Sequence, residues 1–102
     1  MTMIVRRPAT FKRNCNYVPS QDEPATLAGV EVLSGIETSD KQYHQITVTV
    51  SGDNIHFTLN ADTSNWSLGM AEMDIRFSTN GVVWFTQIIE VEVQRTITRP
   101  TP

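Results

Sequence analysis

The stretch Gln45-Ile46-Thr47-Val48-Thr49-Val50, followed after Ser51-Gly52-Asp53-Asn54 by Ile55-His56-Phe57-Thr58-Leu59-Asn60, decides the fold class. Apolar and polar residues alternate through both arms, the period of a strand buried on one face, and the polar interruption between them predicts a β-hairpin. A two-residue loop at Gly52-Asp53 sets Val50 against Ile55, Val48 against Phe57 and Ile46 against Leu59, with every pair matched in polarity. A three-residue loop mixes the two faces, so the expectation is a glycine-first turn with Gly52 in the left-handed region.

A second hairpin follows. Ala71, Met73, Ile75 and Phe77 alternate with Glu72, Asp74 and Arg76, and Asn80-Gly81 supplies the two positive-φ positions of a type I′ turn. That turn places Trp84 opposite Phe77 and Thr86 opposite Ile75. Beyond it the apolar set changes phase to Ile89, Val91 and Val93, which predicts a β-bulge near Gln87 to Ile89, or else a strand covered on both faces by a partner. Upstream, strands are expected from about 9 to 18, carrying Phe11, Cys15 and Tyr17, and from 29 to 36, carrying Val30, Val32 and Ile36. Asn60 to Asn65 is rich in cap-forming residues and admits one helical turn before Trp66. No segment supports a long helix. These elements describe one all-β domain over residues 1–102, an antiparallel immunoglobulin-like β-sandwich of six or seven strands without the paired cysteines of true immunoglobulin domains.

Composition narrows the function classes. A chain of 102 residues holds one domain, and its single cysteine, Cys15, excludes an internal disulfide and a paired-cysteine metal site. The opening Met1 to Val5 meets Arg6 and Arg7 before an apolar run of signal length, and no stretch reaches membrane length, so a non-secreted protein with no membrane partner is expected. The net charge of -3 is unevenly spread. Arg6, Arg7, Lys12 and Arg13 open the chain without an acid among residues 1–20. All eleven acids lie between residues 21 and 94, and Arg95 and Arg99 close the chain. Basic ends, about 1–13 and 95–102, thus flank an acidic body and are expected to reach an acidic protein surface, including that of a sister copy. No basic run interleaved with aromatic residues supports nucleic-acid binding.

No constellation for catalysis emerges. His44 and His56 read as solvated imidazoles, Cys15 as a small core residue, and Trp66 and Trp84 as core fillers. Glu72, Asp74 and Arg76 share one strand face, as do Glu90 and Glu92, and both rows read as solvated sheet rather than a cation site. Asn65-Trp66-Ser67 matches a glycosylation sequon that has no secretory context. The expectation is a protein that is not an enzyme, with no catalytic or metal-binding residue, no cofactor and no small-molecule substrate. Its partner-binding candidates are Arg6, Arg7, Lys12, Arg13, Ile89, Arg95 and Arg99.

Four ordered features resemble a known family. Asp22-Glu23-Pro24 precedes Leu27-Ala28-Gly29-Val30, the Thr/Val-rich hairpin of residues 45–60 follows, and Gly69-Met70-Ala71-Glu72-Met73-Asp74-Ile75 comes next. Asn80-Gly81 then leads through Val91-Glu92-Val93 to Ile97-Thr98-Arg99. In this order the chain resembles the small virion-associated β-domain proteins of tailed bacteriophages and prophages, similar to the N-terminal domains of baseplate upper proteins. It departs from their pattern at Ala28, where threonine is usual, and at Met70 and Met73, where aromatic residues are common. The resemblance implies a virion structural protein made in the host cytoplasm and held on the particle in several copies or as a homo-oligomer by other virion proteins. Its place would be tail, baseplate, neck or capsid surface. The alternative is a free protein- or glycan-binding module or inhibitor.

Overall fold

The computed structural model describes residues 2–97, which contain eight strands and no helix. They are β1 (Thr2–Arg7), β2 (Thr10–Asn16), β3 (Glu31–Glu37), β4 (Tyr43–Val50), β5 (His56–Asp62), β6 (Gly69–Thr79), β7 (Val82–Phe85) and β8 (Ile89–Arg95). Hydrogen bonding links them in the order β1-β8-β6-β3-β4-β5-β2, with β7 also on β6. The ends of this path, β1 and β2, are joined through Pro8 and Ala9, so the sheet curls into a nearly closed barrel around one core.

The all-β expectation holds, while several details differ from the sequence reading. The strand count is eight, and the sheet is mixed because β1 runs parallel to β8, Thr2 beside Glu90 through Arg7 beside Arg95. The segment before Phe11 is therefore woven into the structure, with Val5 buried in the core. Residues 63–66 form a turn, closed by Trp66 N–H donating to the Thr63 carbonyl at 3.0 Å, where a helical turn was expected.

The core forms between two halves that share β4, which pairs β3 through Tyr43–Ile46 and β5 through Thr47–Val50. Phe11 meets Trp66 at a ring separation of 5.7 Å, and Phe77 lies 5.5 Å from Tyr17 and 6.4 Å edge-on from Phe57. Each is an inward member of an alternating strand or of a loop beside one, which is why alternation alone picks out the core.

The second hairpin matches its expectation. Asn80 and Gly81 have φ of 50° and 79°, and Phe77 opposes Trp84. Phase then shifts once: from the Arg76 and Phe85 pair to the Met73 and Ile89 pair, three steps along β6 are matched by four along the late chain. The extra residue lies at Gln87–Ile88, the expected bulge.

The first hairpin keeps its faces and changes its register. Val48 opposes Leu59 and Val50 opposes Phe57, two residues from the expected pairing, with Ser51 N–H donating to the His56 carbonyl across a loop of residues 52–55. Gly52 has no positive φ; Asn54 carries it, at 58°. Asp53 explains the choice. Its Oδ1 accepts the N–H groups of Ile55 and His56 at 2.9 and 3.0 Å and the Ser51 hydroxyl, and its Oδ2 lies 2.5 Å from His56 Nδ1. A carboxylate that collects so many donors stabilises the wider loop.

Two expected results follow. Gly81→Ala should cost on the order of 1 kcal/mol through its left-handed φ, whereas Gly52→Ala, with nothing within 4 Å of the added Cβ, should melt like the parent protein. The Ser51 hydroxyl, followed by the amides of His56 and Ile55 and the His56 ring, holds the Asp53 carboxyl well below the usual carboxylate range. A folded-state value lowered in this way contributes stability that is complete above the unfolded value of about 4 and is lost as pH falls below it. Thermal melts from pH 7 to 3 should therefore show a steeper loss for the parent than for Asp53→Asn.

Candidate interaction face

Alternation gives each half of the sheet an outward face, and the two faces differ sharply. On β2, β5 and the second half of β4 the outward residues are Thr10, Lys12, Asn14, Asn16, Thr47, Thr49, Thr58 and Asn60, with Asp62 at the end, and none is a large apolar residue. Thr and Asn side chains suit a solvated sheet. The face on β1, β8, β6, β7 and β3 instead exposes Ile4, Leu33, Met70, Val83 and Phe85, and Tyr43 joins them from the start of β4.

Acidic residues run through this apolar ground. Glu37 pairs with Glu72 and Glu72 with Glu90, so three carboxylates stand in one row across β3, β6 and β8. Glu92 sits in the next row between Ile4 and Met70, and Asp74 lies beside Gly35. Directly opposed like charges destabilise a sheet. Relief is slight: Lys41 approaches Glu37 at 3.9 Å with both side chains mostly exposed, and Arg76 Nη1 lies 3.3 Å from Glu31 rather than from the row. Among the described residues no cation pairs with Glu72, Asp74 or Glu90, and no His, Cys, Asp and Glu cluster of metal-binding form occurs.

Tyr43 organises the relief of this face. Its ring lies over Gly35, where a Cβ would fall on the ring atoms, and yet the residue is 70% exposed. Depressions of about 230 and 210 Å³ flank it, the first bounded by Leu33, Arg76 and Phe85, the second by Glu37, Glu72 and Ile88. The result is an aromatic ridge with apolar and acidic hollows on either side, a relief suited to a protein surface bearing cations.

No protein-family model matches this chain, and no curated protein does.

The expected partner residues have varied surroundings. Arg6 and Lys12 are exposed on the outward faces of β1 and β2. Arg7 is half-buried and donates from Nη1 to the Trp66 carbonyl at 2.7 Å, holding the 63–66 turn. Arg13 turns back over the Phe11 ring, 5.3 Å from its centroid, at the rim of the core. Arg95 is exposed beside Arg7, so Arg6, Arg7 and Arg95 meet next to the Pro8 corner, while Lys12 and Arg13 lie further along β2. Arg99 lies outside the described residues. Ile89 packs against the core and opposes Met73 in a strand whose two edges are occupied by β1 and β6, so it is not an edge residue and is unavailable for strand addition.

Four further residues differ from or refine their sequence reading. His44, expected in solvent, points inward 6.4 Å from Trp66 with Nε2 buried and unpartnered among the described residues. Trp66 is fully buried, whereas Trp84 stacks on Phe77 at 5.6 Å between clefts of about 340 and 570 Å³, its Nε1 likewise buried without a partner. Cys15 is half-buried; burial pushes its thiol up, against a smaller pull from Arg13, which leaves it a poor nucleophile. The acidic row itself was missed as a unit, since its members lie on strands far apart in sequence. The signal present was the outward placement of Glu72 and Glu90.

Proposed function

We propose that this chain is a non-enzymatic attachment protein of a tailed-bacteriophage particle, an immunoglobulin-like β-domain that docks on other virion proteins at the tail, baseplate, neck or capsid surface. One observation carries the docking reading: an outward sheet face on which exposed apolar residues and Tyr43 surround a row of three opposed carboxylates. Keeping Glu37, Glu72 and Glu90 in line costs stability in the free protein, and a cationic partner surface recovers it. Assignment to a virion rests on the ordered sequence features described above. Repeated copies on a symmetric particle would turn modest single-site affinity into firm attachment.

The basic corner at Pro8 supplies a second contact of opposite sign, reaching acidic neighbours on the same particle. A free binding module is the competing reading, favoured by the cleft where Trp84 meets Gln21, Asp22 and Glu23, an aromatic floor with carboxylates and an amide of the kind that holds sugars. Purified particles decide between the two. An attachment protein co-sediments with them through a density gradient and is found there by mass spectrometry; a free module stays at the top of the gradient.

A further inference from the structure

The two contacts above make no use of the outer backbone edge of β7. Among the described residues β7 pairs with β6 only, and no other backbone hydrogen bond reaches it. Thr86 N–H donates to the Ile75 carbonyl at 3.0 Å, which fixes the alternation of the antiparallel ladder. Trp84 and Val82 therefore turn their backbone groups toward β6, and Val83 and Phe85 turn theirs outward. This edge lacks the devices by which free edges are usually blunted. From Val82 to Ile89 the chain carries no charge and no proline, and Val82, Val83, Phe85 and Ile88 are all exposed.

We propose that β7 pairs antiparallel with β7 of a second copy about a twofold axis at Trp84, joining two sheets into one. Charge selects this occupant. With Trp84 opposite itself, Val83 opposes the second copy's Phe85 and Val82 its Thr86, so identical strands meet without like-charge opposition. Among the described residues, the strands at the two ends of the sheet path would fail the same test, because β1 carries Arg6 and Arg7 and β2 carries Lys12 and Arg13. Outward groups at Val83 and Phe85 form two hydrogen-bonded pairs across the axis. The ribbon is short, so the buried area falls below the ~800 Å² per partner of a standard interface and micromolar self-association is expected. Pairing sets two acidic faces side by side on one continuous sheet, doubling the docking surface.

Sedimentation of the purified full chain from ~1 µM to ~1 mM tests this without any particle, so its failure is distinct from failure of the attachment reading. A concentration-dependent dimer is expected, with the Val83 and Phe85 amides gaining exchange protection as it forms. Phe85→Lys should weaken it at least tenfold by setting a charge against the second copy's Val83 in the middle of an apolar ribbon. Val83→Pro should do the same by removing an outward N–H that the fold itself does not use. Thr49→Lys, on the opposite face, controls for added charge, and circular dichroism checks each variant's fold. A monomer at every concentration, as would result if β7 accepts only a strand from a different protein, overturns the proposal. So does a dimer that survives both edge variants in folded form.

Discussion

Trp66→Ala is expected to lower the free energy of unfolding by about 3–5 kcal/mol, the usual cost of truncating a buried aromatic residue. Trp66 is 1% exposed. Its ring closes one end of the core against Phe11 and His44, and its backbone is held by Arg7 and by the Thr63 turn. Small domains have only about 5–15 kcal/mol in reserve, so this one change removes a large part of it. Urea titration is the measurement, with the midpoint falling and the slope unchanged. Trp84→Ala provides the contrast. Trp84 is only half-buried beside open clefts, so its loss should cost clearly less. Equal losses at the two positions would show that burial does not set the cost of losing these two rings.

Glu72→Lys should act in opposite directions on stability and attachment. Glu72 stands between Glu37 and Glu90, so replacing it with a cation turns two repulsive pairs into attractive ones. Cross-strand pairs contribute about 0.2–1 kcal/mol each, and the isolated variant should melt at or slightly above the parent temperature. Attachment to particles should fall at least tenfold, because a cation then faces the cationic partner surface. Raising salt from ~0.05 to ~1 M shortens the screening length from roughly 14 to 3 Å and should weaken parental attachment in the same direction. Thr49→Lys, on the opposite face, should leave attachment unchanged. Full retention of Glu72→Lys on particles would remove the acidic row from the interface.

Local chemistry made much of this molecule legible. Alternation along Ala71 to Phe77 identifies the inward face, the Asn80-Gly81 pair admits both left-handed residues of a tight hairpin, and the phase change to Ile89, Val91 and Val93 requires one extra residue, which lies at Gln87–Ile88. Each of these inferences spans only residues adjacent in sequence or across one short loop. The first hairpin marks where such reasoning ends. Loops of two and four residues give the same match of polarity because side chains alternate with a period of two, and only the donors gathered by Asp53 distinguish them.

The sequence by itself determined the all-β class, the second hairpin with its bulge, and the inward residues of most strands, since propensity and period act locally. Tertiary structure alone decided the parallel pairing of β1 with β8, which joins residues nearly ninety positions apart and leaves no local signature. It also decided that Arg7, near one end of the chain, stands beside Arg95, near the other. The row Glu37, Glu72 and Glu90 depends on the same kind of information. Three carboxylates become neighbours only when the registers of β3, β6 and β8 are set together, and those registers are chosen by packing of the shared core rather than by any one strand's sequence.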